Sequence, residues 1–134
     1  MMNQSDEPSV MLQTLRDYYK AFSTLDASRV VPYFNEPAML ISAQGVYVAQ
    51  THAVLANLFT SIMETFRARG LGRSEPSMPM VKRLSATASL MSDTAIRYKR
   101  DGAEMDRAEV TYVLQKTNAG WKIAVAVLHD VQES

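Results

Sequence analysis

The stretch Gly120 to Asp130, GWKIAVAVLHD, constrains the fold more than any other part of the chain. Under the two-residue period of a strand, Trp121, Ile123, Val125, Val127 and His129 share one face. Lys122, Ala124, Ala126, Leu128 and Asp130 share the other. A strand with one wet side alternates apolar with polar residues, and here both faces are largely apolar. Each face therefore needs a cover. The pattern predicts an interior on one side of a sheet and a partner on the other.

A chain of 134 residues is long enough for one domain with a substantial core. We read 1–134 as a single domain with 1–7 as a disordered tail. Fourteen basic side chains balance fourteen acidic ones, so neither a nucleic acid nor a membrane is an expected partner. The lack of Cys excludes disulfides, thiol nucleophiles and thiolate metal sites, and two His leave little for a His-rich zinc centre. No run approaches the roughly 18 apolar residues of a membrane span, and the acidic start MMNQSDEP lacks the pattern of a signal peptide. The expected location is cytoplasmic.

Pro8 follows the cap candidates Ser5 and Asp6, and Met11, Leu15, Tyr18, Phe22 and Leu25 then recur at helical spacing. Asp26 caps a short second helix from Ala27 to Tyr33. Ala38 to Ser42 reads as a strand, Gln44-Gly45 as a turn, and Val46 to Val48 as its return. Thr51 caps a long helix that buries Val54, Leu55, Leu58, Phe59, Ile62, Met63 and Phe66. Arg67 and Arg69 suit the negative end of its dipole, and Gly70 suits its C-terminal turn. Residues 70–79 read as a loop, Met80 to Met91 as a strand ending at a Ser92-Asp93 turn, and Thr94 to Arg100 as the next strand. Asp101-Gly102 is a hairpin signal, and Glu104 to Thr117 leads through Asn118-Ala119-Gly120 into the closing strand. Helices followed by hairpin-linked strands specify an α+β domain.

Several features in this order resemble the nuclear transport factor 2-like superfamily, which includes SnoaL-like cyclases and ketosteroid isomerases. They are Tyr18-Tyr19-Lys20-Ala21-Phe22 with Asp26 beyond, then Val30-Val31-Pro32-Tyr33-Phe34-Asn35-Glu36-Pro37, the Asp101-Gly102 hairpin and Gly120-Trp121-Lys122-Ile123. The resemblance spans roughly residues 8 to 131. It implies a cone-shaped α+β fold, a curved mixed or antiparallel sheet wrapped around N-terminal helices in the manner of a cystatin-like α+β barrel. It also implies a pocket for a small apolar organic ligand and a homodimer formed through the outer sheet face. The superfamily contains isomerases, cyclases, dehydratases and plain binding modules, so the fold does not choose among them. No cofactor motif is present.

The isomerase resemblance places an oxyanion-stabilising tyrosine at Tyr18, which also belongs to the core stripe, and the packing role is the favoured one. It places the general base at Ser42, and serine cannot take a proton from a carbon acid unaided. His129 is the alternative base: on the Trp121 face it would enter an apolar cavity, whereas at a strand end it would be a hydrogen-bonded surface histidine. Tyr33 is a second candidate donor. Arg107 and Glu109 share a strand face with Thr111 and read as a solvated or interfacial charged row pairing with Arg97 or Lys99. Inside the cone, Glu109 would act as acid or base and Arg97 or Arg107 would bind an anion. Tyr33, Ser42, Phe59, Arg97, Glu109 and Trp121 are the pocket candidates. His52 reads as an exposed residue in the first turn of the long helix.

Overall fold

The computed structural model describes residues 8–133, with side chains as far as Asp130. The Ser5/Asp6 cap and the 1–7 tail lie outside the described residues. Helix α1 (Pro8–Ser23) buries Met11, Leu15, Tyr18, Tyr19 and Phe22, the stripe that its spacing requires. Asp26 caps α2 (Ala27–Val30) by accepting the Ser28 N–H at 3.0 Å, and a single 3₁₀ turn, Val31–Tyr33, follows. Strands β1 (Phe34–Ser42) and β2 (Gly45–Ala49) form a hairpin. In α3 (His52–Arg69), Thr51 accepts the Val54 N–H at the start, and Gly70 closes the end in a left-handed conformation, φ 86°. His52 is tied down rather than exposed. Its N–H donates to Glu36 at 2.6 Å, and its Nε2 meets the Phe34 carbonyl at 2.8 Å, so that nitrogen carries the proton.

The remaining chain forms β3 (Leu71–Pro76), β4 (Met80–Arg83), β5 (Ala88–Lys99), β6 (Glu104–Thr117) and β7 (Gly120–Glu133). These join the first hairpin in a seven-stranded mixed sheet of order β2-β1-β7-β6-β5-β3, with β4 also on β5. The sheet is an open α+β cone and does not close into a barrel. β7 lies centrally, parallel to β1 and antiparallel to β6. The fully buried Leu15, Leu55, Leu114, Ile123 and Phe34 belong to one core between helices and sheet. Such side chains each contribute roughly 1.5–3 kcal/mol by leaving water.

Two expectations are corrected here. Residues 71–76 pair with β5 as a strand although half of the segment is Gly, Ser and Pro. Edge pairing uses the backbone, so an apolar run is not required, and Pro76 sits at the end where a missing N–H matters least. Ser92-Asp93 is no turn: it lies inside a continuous β5. The Asp93 side chain folds back on the β3–β4 connection, where Oδ1 accepts the Ser77 and Met78 N–H groups at 3.1 and 2.9 Å. The carboxylate that signals a turn in sequence here organises a neighbouring turn.

Candidate functional site

Alternation along β5 and β6 decides which side chains point into the cone. Met91, Asp93, Ala95 and Arg97 are buried on β5, and Asp106, Ala108, Val110, Tyr112 and Leu114 are buried on β6. On β7 the alternation breaks twice. Leu114 pairs with Ile123 but Val113 pairs with Val125, so Ala124 is an extra residue. Val110 pairs with Leu128 but Glu109 pairs with Asp130, which makes His129 a second extra residue. Each bulge reverses the faces of the residues beyond it. Trp121 and Ile123 are buried inside before the first bulge, and Ala126 and Leu128 take over the inner face after it.

The inner surfaces enclose a cavity of about 480 Å³, within the range of small-molecule sites. Its apolar wall includes Phe22, Leu40, Phe59, Ile62, Ala126 and Leu128. Tyr18 lines it, ringed by Tyr19, Phe22, Tyr33, Phe34 and Tyr112 at centroid distances of 5.6 to 6.3 Å. Tyr18 is therefore core by its ring and also part of the cavity wall. Burial pushes its hydroxyl pKa up, and the Arg97 guanidinium pulls it partly back. The Tyr19 and Tyr112 hydroxyls instead bond each other at 2.9 Å, and burial raises both.

The charged part of the wall is built across two strands and a helix end. Arg97 and Asp106 are directly paired residues of β5 and β6. Nη1 of Arg97 donates to both Asp106 oxygens at 3.1 and 3.2 Å, and Nη2 of Arg69, from the last turn of α3, donates to Oδ2 at 2.9 Å. Asp106 is fully buried, whereas the side chains of Arg97 and Arg69 are 11% and 36% exposed. Both guanidiniums flank the Phe66 ring, at 4.7 and 5.5 Å from its centroid.

Of the residues singled out from the sequence, Tyr18, Ser42, Phe59 and Arg97 line this cavity together. Ser42 sits beside the β1–β2 turn and bonds Gln44. Trp121 is buried on the inner side, under the Arg83 guanidinium at 5.1 Å, and is not among the lining residues. Tyr33 packs on Tyr18 but faces a separate shallow hollow with Asp17, Lys20, Arg29 and Lys122. Glu109 and His129 lie outside the cavity. On the outer sheet face His129 Nε2 meets Thr111 Oγ1 at 3.0 Å, and its Nδ1 stands 4.0 Å from Glu109. The unbroken alternation that placed His129 with Trp121 fails because the bulge at Ala124 intervenes and reverses the faces, and His129 is itself the extra residue of the second bulge. Arg97 pairs with neither Glu109 nor an outer row; Arg107 bonds Glu104 instead.

Sequence reasoning missed Asp106 and assigned Arg69 only to the helix dipole. A signal for Asp106 existed, since it shares the strand parity of Ala108, Val110, Tyr112 and Leu114. A charge in register with an apolar row marks a buried ion pair.

The model of a family described as NTF2-like protein (DUF6841) matches residues 6–131. No curated protein matches the sequence significantly. Among solved structures, the chain is similar to a protein of unknown function with a cystatin-like fold from Nostoc punctiforme. The TM-score is 0.78 and the identity 18%, over 92% of this chain and 90% of that one. An NTF-2 like protein of unknown function from Shewanella oneidensis gives 0.74 and 17%, covering 92% and 100%. A ketosteroid isomerase-like protein from Erwinia carotovora atroseptica gives 0.72 and 18%, covering 92% and 95%. At these identities the likeness concerns the fold.

Proposed function

Because this chain belongs to the NTF2-like family DUF6841, we propose that it binds a small, largely apolar organic molecule inside its cone. The observation that carries this reading is the cavity of about 480 Å³, in which an aromatic and aliphatic wall faces the Tyr18 ring and the Arg97–Asp106–Arg69 cluster. A few convergent polar groups on an apolar wall orient a ligand without opposing its transfer from water. Proton-transfer chemistry of the isomerase kind receives less support. Ser42 stands where a base is needed, His129 is outside, and Asp106 is held by two guanidiniums.

A second reading, a dimerisation module, draws on the outer sheet face. Met39, Val125 and Val127 are half-buried there beside Val46 and Val48, which are 59% and 50% exposed. This face would pair two copies of the chain. It is compatible with a ligand on the inner face.

The ligand reading is tested with the neutral dye N-phenyl-1-naphthylamine. Binding should enhance its fluorescence, and Ala126→Phe, which fills the cavity opposite Tyr112, should weaken binding by at least about tenfold. If the dye and a panel of apolar competitors leave the folded protein unoccupied, or if Ala126→Phe binds them as well as the native chain does, the reading is wrong.

A further inference from the structure

The charge balance of the cavity wall narrows the ligand. Among the described lining residues the charged groups are Arg69, Arg97 and Asp106, two cations against one anion. Arg97 commits Nη1 alone to Asp106, and Arg69 commits Nη2 alone. A guanidinium carries five N–H donors in a planar fork, so each arginine retains donors that Asp106 does not use. The Phe66 ring covers part of both guanidiniums, and Arg97 is nearly withdrawn from solvent. A cation held among apolar walls has lost much of its hydration, and a carboxylate arriving there gains a stronger attraction than it would in water.

This inference rests on the reading of the cavity as a ligand site. We propose that the ligand is an apolar monocarboxylic acid whose carboxylate docks on the unused donors of Arg69 and Arg97. Its hydrocarbon body lies against Phe59, Ile62, Ala126 and Leu128. An inorganic anion would satisfy the arginines but leave that apolar wall bare, and a neutral hydrocarbon would do the reverse. Asp106 fixes the orientation of both guanidiniums and neutralises one of them. The remaining unit of positive charge selects the acid. Tyr18 lies close enough for the Arg97 charge to act on its hydroxyl, so the same field covers the polar end of the cavity.

The test compares decanoate with 1-decanol, equal in chain length and different in charge, as competitors of N-phenyl-1-naphthylamine at pH 7.5. Decanoate should compete at least about tenfold more tightly, the range of a charge-assisted hydrogen bond. Arg69→Gln cancels the excess charge at a partly exposed position. It should bring the two competitors within about threefold of each other, read as their ratio within the same variant. Arg69→Lys keeps the charge and should retain most of the preference. Circular dichroism confirms that each variant is folded. Equal competition by decanoate and decanol in the native protein, with the dye bound, would overturn the acid assignment and leave the cavity reading standing. So would a preference that survives Arg69→Gln. Failure of the dye and both competitors to bind would sink the cavity reading, and the acid with it.

Discussion

Asp106→Asn changes one atom type at the centre of the charged cluster, and its cost is set by the geometry. Asp106 is fully buried and receives three N–H···O contacts at 2.9 to 3.2 Å from two guanidiniums. The amide keeps an oxygen for one of them but removes the charge that offsets the desolvation of Arg97. Withdrawing one partner of a buried ion pair costs about 3–5 kcal/mol, because the other charge stays behind. Arg69 is more than a third exposed and relaxes toward water, so its share is small, about 0.5 kcal/mol. We expect a net loss of about 3 kcal/mol. With a urea m-value of about 1–3 kcal/mol per M, the unfolding midpoint should fall by about 1–3 M. Circular dichroism during urea titration measures this. A paired control separates charge burial from general fragility: Arg97→Met with Asp106→Leu removes both ions and should recover most of the loss. If Asp106→Asn unfolds within about 0.5 kcal/mol of the native chain, both arginines are effectively solvated. The electrostatic account of the cavity would then be wrong.

Two further outcomes are expected. Burial raises the Asp93 pKa above its ordinary 3.8, and Oδ2 is buried without a hydrogen-bond partner among the described residues. The folded state therefore holds this proton more tightly, and Asp93 makes stability fall as pH rises from about 3.8 through the raised value. Asp93→Asn should be at least as stable as the native chain at pH 7, and that advantage should shrink as pH falls through the raised value and be lost below about 3.8. Thermal melts across this range check it, and an Asn variant markedly weaker than the native chain at pH 7 would contradict it. On the outer face, light scattering at micromolar concentration should report a dimer, and Val127→Lys should shift it to monomer. A native protein that is strictly monomeric would refute the paired-face reading.

The fold was legible because its signals are local and redundant. The α1 stripe, the Thr51 and Gly70 ends of α3, and the Asp101-Gly102 turn each arise from side-chain or backbone chemistry within a few residues. β3 was not legible, because its place at the sheet edge is decided by pairing with residues some twenty positions later. Ser92-Asp93 misled for a related reason. The residues that favour turns do so through side-chain bonds to nearby amides, and Asp93 makes such bonds to a connection elsewhere in the chain.

The site was legible only as far as strand parity could be carried without error. On β5 and β6 the parity is unbroken through the cavity, so Arg97 and Asp106 are recoverable from spacing once Asp106 is noticed within an apolar row. On β7 parity holds from Trp121 to Ile123 and then reverses at Ala124. Nothing in Ile-Ala-Val-Ala-Val announces the bulge, since any of these small or branched residues accepts an extended backbone. The apolar character of both faces, which first marked this strand, was itself the trace of the reversal. Ala126 and Leu128 are apolar because they line the cavity, and Val125 and Val127 because they lie on the outer face. A strand whose inward set changes midway must be apolar on both alternations near the switch. The same pattern that pointed to two covered faces therefore also concealed which residues of β7 belong to the cavity.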